Sequence, residues 1–287
     1  MNKLDGKQTI LYDLDCESDG EYEFTGLSDA HECIYKPNTG THQISVRGEI
    51  PGLYLCACHP NEKTCTPNNK YKDFRCDLSS GKDDNTVALI SIDSWGDISW
   101  KSMFAFAADC RKLEIIPDEV PDLSHVKNMS YMFSGAESFN QPLEKWNISN
   151  VTDMSGMFRV AKSFNQPLEK WNVSNVTDMR WMFSRTVTFN QPLEKWNVSN
   201  VTNMSEMFRG GAESFNQPLE KWDVSNVCNM KNMFKGASKF NHYPKTWGVP
   251  ENSKDMFTGT KVENISKKKP LKTVFKEQCE FISDDEE

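Results

Sequence analysis

The sequence predicts an α/β solenoid of leucine-rich-repeat type, with short parallel strands and one short helix in each repeat of about 25 residues, preceded by a small all-β sandwich. Three observations lead there. Trp146, Trp171, Trp196, Trp222 and Trp247 are separated by 25, 25, 26 and 25 residues. The pairs Met132-Phe133, Met157-Phe158, Met182-Phe183, Met207-Phe208 and Met233-Phe234 keep the same beat. So do Phe139, Phe164, Phe189, Phe215 and Phe240, each followed by an asparagine. A period of this length belongs to units too small to bury an apolar face alone, which cover one another when stacked.

Each repeat divides into two halves. In Asn175-Val176-Thr177-Asp178-Met179-Arg180-Trp181-Met182-Phe183, the apolar residues Val176, Met179, Met182 and Phe183 fall at i, i+3, i+6 and i+7, the spacing of one helical face. Asn175 stands where an N-cap belongs and Asp178 where a first-turn acid favours the helix dipole. Gly210-Gly211 follows Phe208-Arg209 as a helix stop. The other half, Phe164 to Trp171, contains Pro167, which is excluded from a helix interior and confined to the start or edge of a strand. A very short strand over Leu168 to Lys170 is therefore expected, paired in parallel with its equivalents. Trp146, Trp171, Trp196, Trp222 and Trp247 then form a structural ladder. The column Asn140, Asn165, Asn190, Asn216 and Asn241 is read as a second ladder, its amides satisfying turn backbone that would otherwise be buried unpaired.

Composition agrees with a thin, elongated body. Hydrophobic residues make up only 37% of the 287 residues while aromatics reach 11%, so the core rests on a few large side chains. A net charge of -8 argues against nucleic acid, whose binding requires phosphate neutralisation. No apolar stretch reaches the length of a membrane span. The start, MNKLDGKQTI, lacks the apolar segment of a secretory signal. Either the protein stays in the compartment where it is made, or a leader is missing from this chain.

The motifs Phe-Asn-Gln, Trp-x-Val-Ser-x-Val-Thr-x-Met and Met-Phe, recurring together from roughly Val87 to Phe257, resemble the repeat of the BspA-like leucine-rich-repeat surface proteins of bacteria, mycoplasmas, some protists and some large DNA viruses. The lead-in Ile92 to Trp100 and the segment Pro121 to Val126 are similar to that family as well. Ahead of the repeats, Tyr12 to Asp15, Ser18 to Glu21, His31 to Tyr35 and Gly40 to Gly48 resemble a polycystic-kidney-disease-type β-sandwich without its tryptophan. The alternation of Ile44, Val46 and Ile50 supports strands independently. The expected organisation is a sandwich over 1–86 with a cysteine-rich inserted loop at about 57–85, irregular first units over 87–133, regular repeats over 134–260 and a charged tail over 261–287. The resemblance implies interaction work, adhesion or surface display, and no reaction. Two alternatives stand beside it: an intracellular or virion structural component, favoured by the missing leader, and a metal-binding or enzymatic N-terminal domain.

Candidate sites follow from departures within the pattern. Cys56, Cys58, His59, Cys65 and Cys76 can be read as a disulfide-stapled loop, a zinc site or free thiols, and no metal is favoured because Cys-x-Cys is not the usual ligand spacing. Cys110 and Cys228 occupy repeat positions and read as structural; Cys279 lies in the tail, and nine cysteines leave at least one unpaired. No nucleophile motif, phosphate-binding loop or cofactor motif is present, so no catalytic residue and no cofactor are assigned. Glu144, Glu169, Glu194 and Glu220, beside Lys145, Lys170, Lys195 and Lys221, read as a solvated stripe. The sequons around Asn147 and Asn150 repeat with the units and need no glycan to explain them. The informative positions are those that change from unit to unit. Trp181 lies off the Met-Met-Phe face, and with Arg159, Arg180 and Arg185 it has the composition of a protein-binding hot spot. A protein is the expected partner.

Overall fold

Phe164, Leu168, Trp171, Val173, Val176, Met179, Met182 and Phe183 are all buried, so both halves of the repeat turn their apolar side chains into one interior. The computed structural model describes residues 12–15, 24–27, 45–48, 92, 95, 100–210, 213–274 and 279, with the backbone alone in the first three segments. Successive units of about 25 residues lie one on the next. The Phe133, Phe158, Phe183, Phe208, Phe234 and Phe257 rings form one column, with neighbouring centroids 5.4–5.9 Å apart and planes within 10° of parallel. Phe139, Phe164, Phe189, Phe215 and Phe240 form a second, and the two columns touch at 4.0–4.3 Å. Each fully buried phenylalanine contributes about 1.5–3 kcal/mol by leaving water, and ring stacking adds about 0.5–1.5 kcal/mol.

Where the spacing predicts a helix, residues 175–183 run instead as consecutive tight turns. The N–H groups of Met182, Ser184 and Thr186 close i−3 bonds within the unit, onto Met179, Trp181 and Phe183. Those of Met179, Trp181, Phe183 and Arg185 leave the unit and donate to Asn203, Ser205, Met207 and Arg209 of the next, at 2.9–3.0 Å. The reason is one of dimensions. An α-helix is about 10–12 Å across, so one helix per layer requires the stack to fan out on that side, whereas the Phe133 to Phe257 column there repeats every 5.4–5.9 Å. Asn175 is accordingly no helix cap; its Nδ2 donates to the Ser149 carbonyl of the preceding unit at 2.7 Å. Asp178 accepts the Arg180 N–H on Oδ1 at 2.9 Å, an Asx turn that opens the series.

The expected strand at Leu168 to Lys170 is likewise absent. Parallel bridges join Asn128, Asp153, Asp178, Asn203, Asn229 and Asn252 in one column, a single residue per unit. The Leu168 carbonyl serves another purpose: it accepts the Trp171 N–H at 3.0 Å and the Trp196 indole N–H of the next unit at 2.9 Å. Trp171 donates in the same way to Leu143, and Trp222 to Leu193. On the opposite edge the Asn140 side-chain oxygen accepts the Asn165 N–H at 2.9 Å, and Asn165, Asn190 and Asn216 repeat the bond to Asn190, Asn216 and Asn241. The Glu–Lys stripe forms ion pairs between units, Lys170–Glu144, Lys195–Glu169 and Lys221–Glu194, at 3.2–3.3 Å on highly exposed lysines. Such pairs are each worth less than about 1 kcal/mol.

Three strands precede the repeats: β1 (Tyr12–Asp15), β2 (Phe24–Leu27) and β3 (Ser45–Gly48), antiparallel in the order β2-β1-β3. The inserted loop, with Cys56, Cys58, His59, Cys65 and Cys76, lies outside the described residues. After the last unit come β4 (Gly248–Val249), a short helix α1 (Glu263–Lys268) and β5 (Lys272–Thr273), which pairs in parallel with β4. Among the described residues no further layer follows the last unit, and its exposed donors need other acceptors. The Gly259 N–H donates to the Glu263 carboxylate at 2.9 Å. Lys267 and that N–H together hold the Glu263 carboxyl below its ordinary range. The Tyr243 hydroxyl donates to the Lys269 carbonyl. A disulfide joins Cys228, which stands in the threonine column of the repeats, to Cys279 of the tail. Cys110 is buried in the core.

Candidate partner-binding face

The run of turns carries two outward positions per unit, and both take left-handed backbone. The first column is Ala105, Tyr131, Gly156, Trp181, Glu206, Asn232 and Asp255, with φ between 51° and 60°. The second is Asp109, Gly135, Val160, Arg185, Gly210, Gly236 and Gly259, with φ between 52° and 79°. Left-handed backbone costs an ordinary L-residue roughly 1–2 kcal/mol, and most for a β-branched one. Glycine avoids that cost, and four of seven units place it in the second column. Of the three exceptions, Asp109 is a residue type that tolerates this conformation; the other two, Val160 and Arg185, occur in adjacent units and flank Trp181.

In the first column Gly156 leaves a gap that its neighbours fill. A Cβ there would lie 2.6 Å from Tyr131 Cε1. The Tyr131 ring leans across the gap and meets Trp181, with centroids 6.4 Å apart and planes tilted by 44°. Phe104 extends the line edge-on to Tyr131 at 6.3 Å. Burial raises the Tyr131 phenol above its ordinary range, against the opposing pull of Arg180 and Arg159. All three rings are partly exposed, so the result is an aromatic strip running along the stacking axis.

Arginines border the strip. The Arg180 guanidinium carbon stands 5.4 Å from the Trp181 ring centroid, a cation–π contact, while its Nε pairs with Asp178 at 3.2 Å. Arg209 pairs with Glu206 at 2.7 Å. Arg159 and Arg185 are exposed and have no ion-pair partner among the described residues. The four residues singled out in the sequence thus share the outer turns of two adjacent units. Tyr131, Gly156 and Phe104 were not among them. Register alone points to the first two, since Tyr131, Gly156 and Trp181 are 25 residues apart; nothing in the sequence marks Phe104.

Among the described residues no cluster of histidine, cysteine, aspartate or glutamate is placed to hold a metal ion, and no helix is long and apolar enough to cross a membrane. The family model described as "Mycoplasma protein of unknown function, DUF285" matches residues 98–211 and 174–270, which include the whole strip. No curated protein matches the chain. No solved structure matches it.

Proposed function

We propose, from the premise that this chain belongs to the DUF285 family, that it is a non-enzymatic interaction protein: a BspA-like, leucine-rich-repeat-type solenoid that binds another protein through its outer turns. One observation carries the reading. Val160 and Arg185 stand at left-handed positions where four other units place glycine and a fifth the more tolerant Asp109, and the two flank Trp181 in adjacent units. Their side chains are partly or fully exposed, so no interior packing repays the backbone cost. Strain retained without structural return points to selection for what the surface touches. Exposed aromatic and arginine side chains held on a rigid ladder are also the residue types that dominate protein-binding energetics.

Display on a cell or particle surface is the setting that fits best. The Cys228–Cys279 disulfide belongs to an oxidising environment and favours the surface over the intracellular alternative.

The test is affinity capture on immobilised full chain, from detergent-solubilised surface proteins, read by quantitative mass spectrometry. Tyr131→Ala/Trp181→Ala should lose at least one captured protein by tenfold or more. Lys170→Gln/Lys195→Gln, on the opposite stripe, should keep it. Equal capture by all three proteins would remove this face from the function.

A further inference from the structure

The charge around the aromatic strip runs against that of the molecule. The whole chain carries a net charge of -8. The outer turns of the three units about Trp181 carry four arginines, Arg159, Arg180, Arg185 and Arg209, against three acids, Asp153, Asp178 and Glu206. Two of those acids are engaged by Arg180 and Arg209. Asp153 accepts the Ser155 N–H on Oδ1 at 2.9 Å. The net surplus is one positive charge, and the guanidiniums without an ion-pair partner among the described residues are those of Arg159 and Arg185, both exposed. We infer that the occupant of this face is an acidic segment of a protein, whose carboxylates are held by Arg159 and Arg185 while an apolar or aromatic side chain of the same segment lies on Tyr131 and Trp181. The inference rests on the proposed interaction role of this face.

The chemistry favours such an occupant over other anions. Guanidinium forks match carboxylates in paired hydrogen bonds, and they do so best where rings nearby exclude water. Two unpaired arginines are too few for a nucleic-acid surface, whose affinity comes from releasing many counterions. A purely apolar segment would leave both guanidiniums unanswered at the rim of the contact. Arg185 is informative for a second reason. Its left-handed backbone makes glycine the less costly residue there, so its retention marks the guanidinium itself as wanted.

The experiment is selection from a displayed library of random twelve-residue peptides on the full chain. The enriched peptides are then synthesised and titrated against four proteins: the parent, Arg159→Gln/Arg185→Gln, Arg159→Gln/Arg185→Gly and Trp181→Ala. The glycine variant guards against misfolding, since it relaxes the backbone at 185. Enriched peptides should be rich in Asp and Glu. They should lose tenfold or more of their affinity on both double variants and on Trp181→Ala, and about tenfold when their acids are replaced by amides. Neutral or basic peptides that still depend on Trp181 would overturn the acidic occupant and leave the interaction face standing. Peptides indifferent to Trp181→Ala, or no enrichment at all, would overturn both.

Discussion

Tyr131 and Trp181 are in contact across a layer that belongs to neither, because the intervening unit has Gly156 at the corresponding position. An alanine there would meet both the Tyr131 ring and the left-handed backbone at φ 60°. Gly156→Ala should therefore destabilise the chain by about 2 kcal/mol, combining the backbone cost with displacement of the ring. Urea denaturation measures the loss, and the quantum yield of Trp181 should change as Tyr131 moves away.

The same tyrosine gives the chain a specific sensitivity to alkali. Burial raises its folded-state pKa above that of an unfolded tyrosine, near 10. The contribution to stability is then fully present below that value and lost as pH rises through the folded one, because the unfolded chain ionises first. The decline should be shallower in Tyr131→Phe. Denaturant midpoints measured across that pH range for both proteins check it.

Val160→Gly should stabilise. Relief of a β-branched residue at φ 62° is worth roughly 1–2 kcal/mol, and the added freedom of glycine in the unfolded chain offsets about 0.4–1 kcal/mol of it. A net gain of about 1 kcal/mol in urea denaturation is expected, together with weaker capture of any partner that covers the Trp181 strip. A substitution that raises stability while lowering binding separates a functional surface from a merely tolerated one.

Trp196 and Trp247 occupy equivalent positions and are equally buried, but their indole nitrogens differ. Trp196 donates to Leu168, while the Trp247 N–H is buried with no partner among the described residues. Trp196→Phe removes a hydrogen bond between units; Trp247→Phe removes an unsatisfied donor. The first should cost about 1–2 kcal/mol more than the second by thermal or urea denaturation, beyond the ring volume that both lose.

How much of this was legible depends on what repeats. The tryptophan, phenylalanine and asparagine columns could be read from spacing alone, because a side chain that recurs every 25 residues has its own copies as neighbours. The path between the columns could not. Val176, Met179, Met182 and Phe183 have helical spacing, yet a chain of i−3 turns also brings every third residue inward. Only the length of the layer repeat decides between them, and periodicity does not report it. Pro167 is excluded from a helix, but its confinement to strand starts and edges does not oblige a strand to follow it, and the parallel bridges form at Asp178 instead. Trp181 and its arginines were visible as breaks in the pattern. Tyr131 was legible by register, but only once the gap at Gly156 shows that side chains two units apart can touch.

The Cys228–Cys279 disulfide had no local sign, since one cysteine replaces a threonine of the repeat and the other lies in the tail, 51 residues on. It holds the tail against the final units, beside the pairing of β4 with β5 and the Val274 N–H bond to Val249. Closing a loop of that length removes unfolded-state entropy worth roughly 4 kcal/mol. Cys279→Ser should therefore lower the unfolding temperature measurably, and hydrogen exchange should quicken at Gly248, Val249 and Val274 before it does in the central units, because each unit depends chiefly on its immediate neighbours. Peptide mapping of the unreduced protein should recover the two cysteines in one linked fragment. Recovery of both as alkylated single peptides, with unchanged exchange in the serine variant, would show that the cap holds without the covalent bond.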